Sequence, residues 1–225
     1  MTDPPPPPPP PPPPSEFGMP PPASGPDVGV ALSYGWKKFQ ENVGPLIAIV
    51  AVPVVAQVVL GGIAFAARST FVLYVLIQIL SFVASTIGLL GITRAALMLT
   101  AGEQIDFGKA FQYDRWGEWF VFSIVYGLMV GIGLALCLIP GLFVLAFFGM
   151  APFFFVDGRM SLGDALSASR QAAGGKGLAL PVLLSIIVGA LGVIACFVGV
   201  FITYPVAFIA VAYLYRYAVG QPVTA

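Results

Sequence analysis

Apolar and polar positions fall in long blocks along this chain instead of alternating within each turn. Six apolar stretches, residues 45–66, 71–93, 119–139, 142–156, 178–197 and 200–219, are divided by shorter segments that hold almost all the charge. A helix rises ~1.5 Å per residue, so roughly 20 apolar residues cross the ~30 Å hydrocarbon layer of a bilayer. Strands of a membrane barrel would show short segments of alternating polarity instead. The pattern predicts an all-α polytopic membrane protein with six transmembrane helices, paired as three hairpins. Uncharged turns are expected at Pro140–Gly141 and Val198–Gly199. The block 142–156 is the shortest, and with Pro152 inside it reads as a short, tilted, kinked span.

Composition agrees: of 225 residues, 58% are hydrophobic and 9% charged, against roughly 25% charged in a soluble domain. Charge placement then sets the expected orientation. Arg68 alone lies between the first two stretches, while the other nine Lys and Arg fall in segments that six crossings place on one side. Cytoplasmic loops retain Lys and Arg, so both termini are expected in the cytoplasm of a cell with this protein in its cytoplasmic membrane. Trp36, Trp116, Trp119, Tyr213, Tyr215 and Tyr217 lie near the same span ends, where amphipathic rings are expected at headgroup depth. All ten Asp and Glu accompany the cations. The near balance argues against a polybasic lipid-binding patch.

Three polar segments share a pattern. Asp27, Asp106 and Ser161 each precede an apolar triplet at i, i+3, i+4: Val28, Ala31, Leu32, then Phe107, Ala110, Phe111, then Leu162, Ala165, Leu166. Such residues cap helix N-termini, and the spacing gives one apolar stripe. Ser161 with Asp164 resembles a capping box. Each copy precedes a pair of apolar blocks, so the chain reads as three units of a short cytoplasmic amphipathic helix plus a hairpin. True internal repetition and a coincidence of helix-start chemistry both fit. The short helices are expected to cap the bundle; lying in the headgroup plane is the other reading.

Residues 4–14 are an unbroken run of 11 prolines, which forces a polyproline II rod ~34 Å long. With no basic residue or apolar run, residues 1–26 do not resemble a signal peptide. They are expected to form a disordered, stiff cytoplasmic arm, followed by a membrane domain at 27–220 and a short tail at 221–225. Pro4, Pro7, Pro10 and Pro14 are candidate docking positions for a cytoplasmic polyproline-binding partner. A spacer is the plain alternative.

Within the spans no Asp, Glu or Lys lies deep, and Arg94 and Arg216 sit near span ends, where long side chains snorkel to water. Gln57 and Gln78 fall at similar depth on neighbouring antiparallel spans and are expected to hydrogen-bond to each other as structural glue. Gly127 and Gly131 form a Gly-x-x-x-Gly face expected to pack within the monomer. Cys137 and Cys196, each two or three residues before an outer turn, read as buried small hydrophobes, a disulfide being the alternative. There is no histidine, phosphate loop or zinc-ligand spacing. No catalytic set, cofactor, metal or nucleic-acid partner is expected, and Asp157 reads as solvated or interfacial.

The segment PGLFVLAFFGMAPFFFVDGRMSLGDALSASRQAAGG, residues 140–175, resembles the six-span, non-catalytic membrane domain found with some bacterial glycerophosphoryl diester phosphodiesterases. The features are Pro140–Gly141, Ala151–Pro152, Val156–Asp157, Ala165–Leu166, Ser169 and Gly174–Gly175. The opening DVGVALSYGWKKFQENVGPL is similar to actinobacterial proline- and glycine-rich integral membrane proteins. The resemblance implies a membrane-embedded accessory or scaffold without a hydrolase domain, and supplies no catalytic residues. A small-solute or lipid transporter is the alternative.

Overall fold

The computed structural model describes residues 27–136, 138–194 and 199–224. They form helices α1 (Val28–Glu41), α2 (Val43–Ala66), α3 (Phe71–Thr100), α4 (Phe107–Phe111), α5 (Trp116–Leu136), α6 (Leu138–Phe148), α7 (Ala151–Val156), α8 (Leu162–Gly175), α9 (Ala179–Ile194) and α10 (Val200–Val219). By length and composition α2, α3, α5, the α6–α7 run and α10 suffice to cross a membrane, and α8 with α9, bent by 108°, qualify together as a sixth. The chain is all-helical with the character of a multi-pass membrane protein.

The local chemistry read from the sequence sets the helix starts. Asp27 accepts from the Gly29 amide at 2.8 Å, Asp106 from Lys109 at 3.1 Å and Ser161 from Asp164 at 3.3 Å. Ser161 Oγ also donates to Asp164 Oδ2 at 2.6 Å. At the far end Gly220, with φ of 72°, closes α10 in the left-handed conformation, and the Gln221 amide returns to the Arg216 carbonyl at 2.9 Å.

The fourth apolar block differs from expectation. Pro140 and Gly141 are helical, not a turn: Pro140 sits in the first turn of α6, where its missing N–H breaks no helical bond. The run therefore begins earlier than predicted and covers Leu138–Val156, 19 residues, broken at Gly149–Met150 ahead of Pro152. Gly149 stands where a Cβ would lie 2.7 Å from Val182 Cγ1, so close packing on α9 fixes the break. The expected Val198–Gly199 turn and both cysteines, Cys137 and Cys196, lie at or beyond the edge of the described residues.

α2 packs on α3, α5 on α6 and α9 on α10, while α1 lies along α10 and α8 against α6 and α7. Gly35 brings α1 onto α10; a Cβ there would sit 2.5 Å from the Val206 carbonyl oxygen. Gly88 likewise makes room on α3 for Pro53 of α2, whose Cβ would be 2.5 Å away. The core gathers toward one end of the helices. On α2 it takes Leu46, Ile49 and Val50, on α5 Trp119, Phe122 and Ser123, and on α3 almost only positions after Thr86. The opposite halves of α2 and α3 leave Val55, Val59, Phe71, Val72 and Leu76 exposed, as suits helices facing lipid, where no hydrophobic force closes the gap.

Several interfacial expectations are corrected here. Trp119 is fully buried, stacked on Phe122 at 5.4 Å and close to Phe155, while Tyr213 and Tyr215 are also buried; of the three tryptophans, Trp36 is the exposed one. Periodicity explains this, because each buried ring falls on the side of its helix that meets a neighbour. The Gly127–Gly131 face is open, with nothing within 4 Å of a Cβ at Gly131 and only Phe82, at 3.9 Å, near Gly127. Close helix approach within this chain uses other glycines, such as Gly133 and Gly141, where α5 meets α6 with a Cβ-to-Cα distance of 3.1 Å.

Candidate functional site

The charged segments that the sequence assigns to one side are in direct contact. Asp114, just before α5, pairs with Arg159 after α7 at 2.5 Å, and Arg115 Nη1 donates to the Arg159 carbonyl at 2.9 Å. Arg216 of α10 reaches Asp157 at 3.5 Å and the Leu97 carbonyl of α3 at 3.4 Å. Residues of the tail join them: Tyr34 Oη donates to the Thr224 carbonyl at 3.0 Å, and the Thr224 amide donates to Thr100 at 3.2 Å. The ends of α3, α5, α7 and α10 thus form one polar layer, which Tyr34 from the middle of α1 joins through the tail.

Length places this layer outside hydrocarbon. α3 has 30 residues, ~45 Å at the helical rise, against ~30 Å of hydrocarbon. With Phe71 at one face of the bilayer, Arg94 and the turns after it emerge at the other.

A polar cavity of about 320 Å³ opens in the layer. Arg94, Lys109, Arg159 and Arg216 line it with Glu103 and Asp157, four cations against two carboxylates. Two of the cations are already committed. Arg216, whose side chain is 11% exposed, is held by Asp157, and Tyr215 Oη donates to the same Asp157 Oδ2 at 2.7 Å. Asp157 is therefore a partly exposed clasp between α7 and α10, in keeping with an interfacial position, and Arg216 is bonded inward instead of snorkelling. Arg159 is held by Asp114 and adopts φ of 47°, a left-handed conformation that costs energy for a residue with a Cβ.

Arg94 is different. Among the described residues it has no carboxylate partner, its Nε is buried without an acceptor, and its guanidinium lies 5.8 Å from the centre of the Tyr113 ring. Tyr113 is 6% exposed, and its buried hydroxyl also has no hydrogen-bond partner. Burial pushes the Tyr113 phenol above its ordinary value, so it stays protonated and a donor at neutral pH. Asp114 moves the other way: the hydrogen bond from Arg159 holds its carboxyl below the usual range. Two unpartnered donors thus face one basic cavity, an arrangement suited to an anion with several acceptor oxygens.

Below it lies a second, apolar cavity of about 310 Å³ between α3, α5, α6, α7, α9 and α10. Its side-chain polarity comes from Tyr126 and Tyr204.

The residues singled out from sequence fare unevenly. Pro4, Pro7, Pro10 and Pro14 lie outside the described residues. Gln57 does bridge α2 to α3, yet its Nε2 donates to the Ser81 carbonyl at 2.7 Å and Ser85 Oγ at 2.6 Å, not to Gln78, which is exposed. Gln78, Ser81 and Ser85 stand at i, i+3 and i+7 on one side of α3, so the side is as expected and the partners lie one to two turns further along the helix. Arg94 was legible only in part and Tyr113 not at all, since an arginine near a span end gives no hint that a loop tyrosine lies beside it.

No family model and no solved structure matches the chain. Two relatives, uncharacterised proteins of Mycobacterium bovis and Mycobacterium tuberculosis, are each 28% identical over 244 aligned positions, which cover 92% of this chain and 75% of the relative.

Proposed function

We propose that this chain is a six-span protein of the bacterial cytoplasmic membrane, built as three hairpins each preceded by an amphipathic helix. It serves as a non-enzymatic accessory or scaffold that presents its polyproline arm to a cytoplasmic partner. The observation that carries the reading is the single polar layer joining the ends of α3, α5, α7 and α10, with Arg68, the one charged group at the opposite end among the described residues, beside Phe65. Since Lys and Arg resist export, that layer faces the cytoplasm. The likeness to the membrane domain found with glycerophosphoryl diester phosphodiesterases belongs to the same proposal, carried by residues 140–175.

Orientation is tested with Cys137 and Cys196 replaced by alanine and single cysteines placed at Ser15, Ser69 or Ser167. In intact cells an impermeant maleimide should label Ser69→Cys and spare the other two; outside labelling of Ser15→Cys or Ser167→Cys refutes the topology. For the scaffold role, crosslinking in cells is compared between the full chain and one lacking residues 1–26. Identical neighbours in both would remove the docking role of the arm.

Of the transporter readings, the apolar cavity favours a lipid over a small polar solute, which would find few partners beyond the phenols of Tyr126 and Tyr204.

A further inference from the structure

The two cavities are stacked along the helices, and three elements line both. α3 supplies Leu89 to the apolar cavity and Arg94 to the basic one, α7 and its C-cap supply Phe153 and Asp157, and α10 supplies Val211 and Arg216. Each element runs toward the polar layer, so in each the apolar member lies deeper. The offsets of four or five residues correspond to ~6–7.5 Å. One cavity is thus at headgroup depth and the other in hydrocarbon, a short linker apart.

The chemistry of each half restricts the occupant. The upper cavity carries an excess of cations, Lys109 among them, and two buried donors on its lining residues, Arg94 Nε and the Tyr113 hydroxyl, lack acceptors among the described residues. A phosphate answers both, because guanidinium binds it through paired N–H groups and a phenol donates to a remaining oxygen. The lower cavity, at about 310 Å³, falls in the size range of ligand pockets, roughly 300–1,000 Å³, and offers hydrocarbon contacts. A free phosphate would use only the first half and a fatty chain only the second. We propose that the stacked cavities bind one anionic phospholipid, its phosphate against Arg94 and Tyr113 and an acyl chain in the apolar cavity. The layer is nearly neutral in sum, as the sequence suggests, but its pairs leave a local basic pocket, the kind of site between helices that holds lipid headgroups. The inference rests on the membrane reading of the helices, not on the proline arm or on the orientation.

The test uses the full chain purified in detergent, with native mass spectrometry reading the fraction that retains lipid. Phosphatidylglycerol, phosphatidylcholine and inorganic phosphate are supplied separately at matched phosphorus. Phosphatidylglycerol should be retained about tenfold better than phosphatidylcholine, and Arg94→Gln should weaken its retention by about tenfold. Tyr113→Phe, which keeps the ring, should weaken it by a smaller factor, and Ala190→Phe, which fills the apolar cavity, should lower it with phosphate contacts intact. Each variant's melting temperature in detergent without added lipid shows whether it has folded; if Arg94→Gln has not, Tyr113→Phe and Ala190→Phe decide. Equal retention of the two lipids overturns the proposal. So does unchanged retention in the folded variants, or inorganic phosphate raising the melting temperature as much as phosphatidylglycerol, which would mark a soluble-anion site. Cysteine labelling in cells reads the topology separately, so the failure of one is distinguishable from the failure of the other.

Discussion

Trp119 Nε1 donates to the backbone carbonyl of Thr86 at 3.0 Å, joining the first turn of α5 to the middle of α3 inside the protein. The indole is fully buried and stacks on Phe122. Two contributions are therefore separable. Trp119→Phe keeps most of the packing and loses the bond, at about 1 kcal/mol, whereas Trp119→Ala also opens a cavity and costs about 3–5 kcal/mol. Reversible unfolding in mixed micelles should rank them in that order; equal losses would show that the bond contributes nothing.

Glycine at position 35 is required by contact, not by conformation. Gly35→Ala places a methyl 2.5 Å from the Val206 carbonyl oxygen, so α1 must lift from α10, and the overpacking costs about 1–3 kcal/mol. Gly163 in α8 provides the control, since nothing lies within 4 Å of its Cβ position. Gly163→Ala should be neutral or stabilising by up to about 1 kcal/mol. A melt in detergent compares the two.

Gln57, not Gln78, is the polar link between α2 and α3. Gln57→Leu should cost about 0.6–1.7 kcal/mol, and Ser85→Ala should cost little further when combined with it, because the two share one hydrogen bond at 2.6 Å. Gln78→Leu should be silent. A full coupling energy between positions 57 and 78 in a double-mutant cycle would restore the pairing that depth alone suggested.

Acid should loosen the layer at the contact of Asp114 with Arg159. The Asp114 pKa is lowered from 3.8, chiefly by its hydrogen bond from Arg159. A carboxyl depressed in the folded state adds stability above its unfolded value, and that contribution fades as pH falls through the folded one. Both groups are exposed, so the effect is small and screened by salt. Unfolding measured between pH 7 and 3 should show a shallower acid-side decline in Asp114→Asn; parallel curves would assign the decline to other carboxylates.

How much was readable in advance depended on the range of each interaction. Apolar blocks, the caps Asp27, Asp106 and Ser161, and the grouping of charges were readable because each is set within a few residues or by bilayer thickness. The start of α6 was misplaced because Pro140 and Gly141 look like a turn, yet a proline in a first helical turn gives up no bond. Gln57 found the right helix and the right side of it but at another depth, Ser81 and Ser85 lying one to two turns beyond Gln78, since counting from the span ends ignores how the two helices are shifted against each other. The basic cavity was hidden by arithmetic: summed charge balances, and only the pairing of Arg216 with Asp157 and Arg159 with Asp114 leaves Arg94 and Lys109 over among the cations that line it. No one-dimensional pattern reports which cation is left without a carboxylate.

The seat of α1 on α10 has a consequence for biosynthesis. Gly35 meets Val206, and at ~5–20 residues per second a ribosome takes roughly 10–35 s to get from one to the other. Throughout that interval α1 has chiefly α2 and then α9 to touch, and the side of Tyr34 and Gly35 that α10 covers has no permanent neighbour, so newly made protein must lodge it on the lipid surface or against an insertion factor. Maturation therefore ends with a docking step that seats α10 on α1, and a chain truncated before α10 leaves that side of its first helix uncovered and open to proteolysis.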